Sequence, residues 1–252
     1  MAISGWNVRG GKCRGPGHVT TGTPCQDALN WDESADLIIL AVADGAGSSS
    51  VSQTGSYLSV MSSVGYLKQP ELALQLSDGD ELLASVIAAM EVAAREVSSS
   101  SALHGRQTRD FASTLSLVVL TERVWVAATI GDSPVVVDTK SEGLSIVAKG
   151  TNYEFASETD FLTSPDWRLR VATGCGDSKD LLAAALMSDG TGFCAIDLSS
   201  GSPSPKFFKP LFDAVRAGTV TNSDVTGVLD STGARARSGD DKALLLAVRN
   251  IE

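Results

Sequence analysis

Four stretches of the chain set an acid against an apolar run. The run Leu37–Ala43 stops at Asp44-Gly45-Ala46-Gly47, and Ile130-Gly131 leads to Asp132. Leu181–Met187 stops at Ser188-Asp189-Gly190, and Gly239-Asp240-Asp241 precedes the apolar run Lys242–Val248. An isolated Asp-Gly is more often a turn than a ligand. Carboxylates gathered from several strand ends repel one another, and burial raises the cost; a divalent cation relieves both. All-oxygen donors of this kind suit magnesium or manganese rather than zinc. With His18 and His104 the only histidines, a histidine-rich metal site is excluded.

These acids need elements to carry them. Thr114–Thr121 and Val124–Ile130 read as strands of a hairpin, followed by Val135–Val137 and Leu144–Val147. Short turns between sequential strands imply antiparallel sheet. Leu82, Val86, Met90, Ala93 and Val97 make one helical stripe. A preceding helix through Leu67 is expected, with Ser48, Ser49 and Ser50 able to cap it, and the serine run 98–101 is expected to open a loop. Phe207, Phe208, Leu211, Phe212 and Val215 share a further helical face. Residues 10–18 read as a glycine-rich loop whose Arg9, Lys12, Arg14 and His18 form a candidate anion seat, and Ala234–Gly239 as a flexible basic approach to Asp240. No Gly-Lys-Ser/Thr closes the first of these loops, so it is not a nucleotide-binding phosphate loop. Strands with helices between them predict an α+β fold, two packed antiparallel sheets flanked by helices, in one domain spanning residues 1–252.

Composition removes whole classes of function. A formal charge of -10 over 252 residues argues against nucleic acid or an anionic membrane as partner. No apolar stretch reaches the length of a membrane span. The opening Met1-Ala2-Ile3-Ser4-Gly5 has no basic region followed by an apolar run, so no signal peptide is expected. Cys13, Cys25, Cys175 and Cys194 are scattered without a Cys-x-x-Cys, which fits reduced thiols and a cytoplasmic location. No arginine follows any of them at the spacing a cysteine-based phosphoester hydrolase needs.

The ordered set Gln26-Asp27, Ala43–Gly47, Ser113-Thr114, Ile130–Ser133, Ser188–Gly190 and Asp240–Lys242 resembles the metal-dependent type 2C (PPM) protein serine/threonine phosphatases. Gly17-His18 through Ala28, and Tyr153–Thr159 with Phe161–Thr163, resemble a compact bacterial branch of that family. The resemblance runs nearly end to end. It implies a four-layer α-β-β-α sandwich and hydrolysis of phosphoserine or phosphothreonine on proteins, with a cognate kinase as a further expected partner and a monomeric enzyme. It implies two manganese or magnesium ions, and a third held more weakly. Such ions, about 3.5–4 Å apart, cancel the repulsion between phosphate and hydroxide and acidify a shared water. Asp44, Gly45, Asp189 and Asp240 would be the ligands, with Asp241 the alternative in the doublet. Asp132 would lie near the third ion, and Asp27 would hold a water.

The sequence also departs from the family. Gly22 stands where the family has its phosphate-binding arginine; Arg9, Lys12, Arg14 and His18 are the candidates to replace it, with His18 and Arg14 put forward for that role. Ala46 replaces a histidine, Gln26 an acid, Asp241 an asparagine and Phe193 a further acid. These departures leave open a second reading, a phosphatase-like module that binds a phosphorylated partner or kinase without turnover. Residues 150–165, with Tyr153 and Phe161, are a candidate flap over the site.

Overall fold

A strand that is apolar at every position needs cover on both faces, and the fold supplies it. A computed structural model describes residues 5–34, 36–69, 78–150 and 159–250. The strands are β1 (Trp6–Cys13), β2 (Ala28–Glu33), β3 (Ile38–Ala43), β4 (Leu115–Leu120), β5 (Val124–Ile130), β6 (Val135–Thr139), β7 (Gly143–Ala148), β8 (Ala172–Asp177), β9 (Leu181–Met187) and β10 (Lys242–Arg249). They form two five-stranded sheets, ordered β1-β10-β9-β6-β7 and β2-β3-β4-β5-β8, with every pairing antiparallel. The helices are α1 (Pro16–Thr21), α2 (Ser52–Leu67), α3 (Gly79–Leu103), α4 (Asp189–Ala195), α5 (Pro205–Arg216), α6 (Asn222–Leu229) and α7 (Thr232–Arg237).

Alternation along the strands divides the core into three layers. In β3, Ile38, Leu40 and Val42 face the opposite sheet, where Leu186 and Leu245 also lie. Ile39, Ala41 and Ala43 face away, toward Val64 of α2 and Val86 and Met90 of α3. In β10, Leu244, Leu246 and Val248 pack on Phe208, Phe212 and Val215 of α5 and Val225 of α6. The result is the expected four-layer α-β-β-α sandwich. Each fully buried Leu, Ile or Phe in it contributes about 1.5–3 kcal/mol of apolar transfer energy.

Antiparallel pairing also decides where the acids go. Val42 pairs with Ser116 and Leu115 with Ile130, so the ends of β3 and β5 share one end of their sheet. In the other sheet Leu244 pairs with Met187, which brings the end of β9 beside the start of β10. Asp44, Asp132, Asp189 and Asp240 all follow or precede these strand ends.

Several local expectations are corrected. Gly10–Cys13 is strand rather than loop, because β1 pairs with β10 through Cys13↔Lys242, and Pro16–Thr21 is helix α1. No serine caps α2; its N-cap is Val51, without a side-chain cap bond. α3 continues through the serine run to Leu103, with Ser101 buried and its hydroxyl bonded back to Ser98 O (2.8 Å). Thr232–Arg237, read as flexible, is helix α7, capped by Ser231. Tyr153 and half of the expected flap, residues 151–158, lie outside the described residues. Among the described residues, no helix is long and apolar enough to cross a membrane.

Candidate metal centre

Asp44, Asp132, Asp189 and Asp240 line one cleft of about 150 Å³, together with Gly45, Ala46, Gly47, Ser48, Thr114, Thr159 and Phe161. Each acid is fixed by its element. Asp44 is pinned by Thr114 at both backbone groups: its N–H donates to Thr114 Oγ1 (2.9 Å), and its carbonyl accepts from Thr114 N (2.8 Å). Asp189 opens α4 after Ser188, whose hydroxyl accepts from Ala243 N (2.9 Å) and so ties β9 to β10 at the cleft. Asp132 follows β5, and its Oδ2 accepts from Thr159 Oγ1 (3.1 Å). Asp240 is exposed to the cleft, and its Oδ1 accepts from Asp241 N (2.8 Å).

Lys242 anchors the Asp240 loop from below. Its ammonium is fully buried and donates to the carbonyls of Ser238 (2.9 Å) and Asp240 (2.8 Å). A lysine at the head of an apolar strand was the signal for this role in the sequence, and sequence reasoning gave it none.

The doublet splits. Asp241 is 2 % exposed, and both its oxygens are occupied: Oδ1 accepts from Gly15 N (2.7 Å) and Oδ2 from Gln26 N (2.6 Å). His18 Nδ1 lies 2.9 Å from the same Oδ2, at ion-pair distance but without hydrogen-bond alignment. Donor atoms of His18, Asp240 and Asp241 lie within 4.8 Å of one another, yet Asp241 in this trio is committed to the backbone. The seam is tight. A Cβ on Gly15 would sit 2.2 Å from the Asp240 carbonyl carbon, and one on Gly190 would sit 2.0 Å from Asp241 O, so glycine alone permits these approaches. Neither His18 nor Arg14 lines the cleft. Arg14 is turned to the Thr23 carbonyl (3.4 Å), and among the described residues the cleft contains no cation.

The electrostatics are those of anions without a counter-charge. Burial pushes the Asp27 carboxyl up to about 8, with Asp241, Asp189 and Asp240 adding to the shift and a hydrogen bond from Ser188 opposing it. Asp44 is held well above the usual carboxylate range, first by burial and then by the charges of Asp27 and Asp189. Asp189 is raised by burial and by Asp132 and Asp240, against contacts with Asp44 and the Gly190 N–H that lower it. Asp27 Oδ2 and Asp189 Oδ1 are buried with no hydrogen-bond partner. Orphaned oxygens amid mutual repulsion fit a cation, and a lining without histidine or cysteine fits a hard one. Gln26, where an acid was expected, is buried with its Oε1 unpartnered, and only its backbone joins the Asp241 clamp. The four cysteines are unpaired; burial pushes the Cys13 and Cys25 thiols up to about 11 and about 12, which leaves them unreactive near neutral pH.

Comparison with known proteins bears on the family and the fold. Residues 14–230 match the family profile for Protein phosphatase 2C. The chain is 29% identical to Serine/threonine-protein phosphatase 3 of Escherichia coli (strain K12), over 96% of this chain and 98% of that one. In structure it is similar to the serine/threonine phosphatase Stp1 from Staphylococcus aureus (TM-score 0.66, 13% identity, 100% of this chain and 96% of that one). It is also similar to the catalytic domain of the serine threonine protein phosphatase PstP in complex with two manganese ions (TM-score 0.64, 17% identity, 97% and 98% coverage).

Proposed function

The chain belongs to the protein phosphatase 2C family, and from that premise we propose that it hydrolyses phosphoserine and phosphothreonine on proteins with the help of two divalent cations, manganese or magnesium, held in the acidic cleft. The observation that carries this reading is the convergence of Asp44, Asp132, Asp189 and Asp240 on one cleft, with buried oxygens left unpartnered at Asp27 and Asp189. A module that merely bound a partner would have no use for such a cluster, because buried acids cost stability unless something neutralises them.

Asp44, with the Gly45 carbonyl, Asp189 and Asp240 would hold the cations, and Asp132 would serve a third and weaker position. Bound cations would offset the charge of the phosphate ester and make a water acidic enough to attack near neutral pH. Asp27, near enough for its charge to raise the Asp44 pKa and hydrogen-bonded by Ser188, would hold that water. In that hydrolysis a water oxygen would bond to phosphorus as the bond from phosphorus to the serine or threonine oxygen breaks, and the proton that the water loses would balance the one that the leaving oxygen takes up. Asp241 plays a different part, tying Gly15 and Gln26 to the base of the Asp240 loop. A kinase would supply the phosphorylated substrate. The test is hydrolysis of p-nitrophenyl phosphate and of a phosphothreonine peptide. Turnover should require manganese or magnesium, stop with chelator, and be lost in Asp44→Ala; metal-independent turnover, or none, would refute the reading.

A further inference from the structure

The cleft has a neighbour. A groove of about 390 Å³ opens beside it, and Ser48 and Phe161 belong to both, so the two adjoin. Both walls of the groove hang from the segment that precedes β4. On one side, Ala46 N donates to Ala112 O (2.9 Å), Val51 N to Asp110 O (3.0 Å) and Ser49 Oγ to Arg109 O (2.9 Å). These bonds fasten the loop after Asp44 to residues 109–112. On the other side, Leu162 N donates to Ser113 O (2.9 Å), and the turn at 161–164 closes on itself through Ser164 N to Phe161 O (2.9 Å) and Phe161 N to Ser164 Oγ (3.0 Å).

This pre-built groove presents Arg109. Arg109 is an exposed residue whose guanidinium makes no ion pair or hydrogen bond among the described residues. The one acid in the lining, Asp110, spends its Oδ2 on the N–H of Gln107 (3.2 Å). Arg106, close by, donates to Ser50 Oγ (3.2 Å) and likewise has no acidic partner among the described residues. In a chain of net charge -10, two arginines without an acidic partner among the described residues stand out beside the acidic cleft as a local reversal of sign. The groove, at about 390 Å³ against about 150 Å³ for the cleft, has room for side chains of a peptide whose phosphoryl group is at the cleft.

We propose that this groove seats the residues flanking the phosphorylated serine or threonine, and that Arg109 selects substrates bearing an acidic side chain there. The proposal rests on the hydrolase reading above and deepens it. Arginine suits this role because its planar fork binds a carboxylate through two parallel hydrogen bonds, and it gains from a position held by a rigid wall.

The test compares phosphothreonine peptides that differ only in the neighbouring residues, aspartate in one set and alanine in the other. Wild-type protein with manganese should favour the aspartate peptides about fivefold in kcat/KM, the upper end for an exposed Arg–carboxylate pair of good geometry. Arg109→Ala should bring that ratio close to one, and Arg109→Glu should invert it in favour of lysine-flanked peptides. The same ratios should appear in the Kd of matching peptides carrying a non-hydrolysable phosphonate, measured by fluorescence anisotropy. A wild-type ratio near one, or a ratio unchanged in both variants, would overturn the proposal. Loss of all turnover on p-nitrophenyl phosphate in wild-type protein would instead sink the hydrolase reading, and the phosphonate Kd ratios would still judge Arg109.

Discussion

Asp240 and Asp241 are adjacent, identical in type and opposite in fate. Asp241 faces inward and has every oxygen answered by a backbone N–H, from Gly15 and from Gln26. Asp240 faces the cleft with Asp44, Asp132 and Asp189, where burial and neighbouring charges hold the Asp44 and Asp189 carboxyls high and a buried Asp189 oxygen goes unanswered. The clamp stabilises the fold at once. The cleft costs stability until something of opposite charge arrives. A buried carboxylate is therefore structural or functional according to whether its hydrogen-bond capacity is spent within the chain.

Substitutions can break this contrast from either side. The largest effect is expected at the cleft: Asp44→Ala should reduce metal-dependent phosphatase turnover by on the order of 10³-fold, measured as kcat/KM on a phosphothreonine peptide. Removing the clamp comes next. Asp241→Ala strips the partners from two backbone N–H groups and should cost about 2–4 kcal/mol in urea unfolding of the metal-free protein. At the cleft the same assay should run the other way, with Asp44→Asn stabilising the metal-free chain by about 1–3 kcal/mol as repulsion falls. A destabilised Asp44→Asn would show that the cleft acids already support one another.

The contrast also has a pH signature. Carboxyl pKa values raised in the fold mean that the folded chain holds more protons than the unfolded one, from the ordinary carboxylate range near pH 4 up to the Asp27 value of about 8. Stability of the metal-free protein should accordingly fall as pH rises through that window, seen as a declining Tm, and manganese should flatten the decline. A Tm that climbs with pH in the absence of metal would contradict the assignment. The smallest effect concerns the shared wall: Phe161→Ala should lower kcat/KM on peptides a few-fold more than on p-nitrophenyl phosphate, because it borders both cleft and groove.

The fold was legible where side chains alternate or form stripes. β3, β4, β5 and β9 announced themselves as apolar runs, and the core of α3 as a stripe, because burial on both faces of a strand or one face of a helix leaves that mark. Gly10–Cys13 and Ala172–Asp177 hid because glycine-rich strands carry no pattern. The end of α3 hid because buried serines satisfied by backbone carbonyls look like loop serines in sequence. Of the site, the acids could be named from their places at strand ends. Their division of labour could not, since nothing in Asp240-Asp241 says which side chain meets Gly15 and Gln26 across the seam. Arg109 was invisible for the same reason: its isolation from other charges is a fact of three dimensions.

The most direct test of the division between cleft and clamp is a manganese titration by isothermal calorimetry of the wild type, Asp240→Asn and Asp241→Asn. Two ions should bind each wild-type chain. Asp240→Asn should weaken or abolish binding of at least one of them, while Asp241→Asn, which keeps an oxygen for the clamp, should still bind both. Full binding in Asp240→Asn with loss in Asp241→Asn would contradict the account.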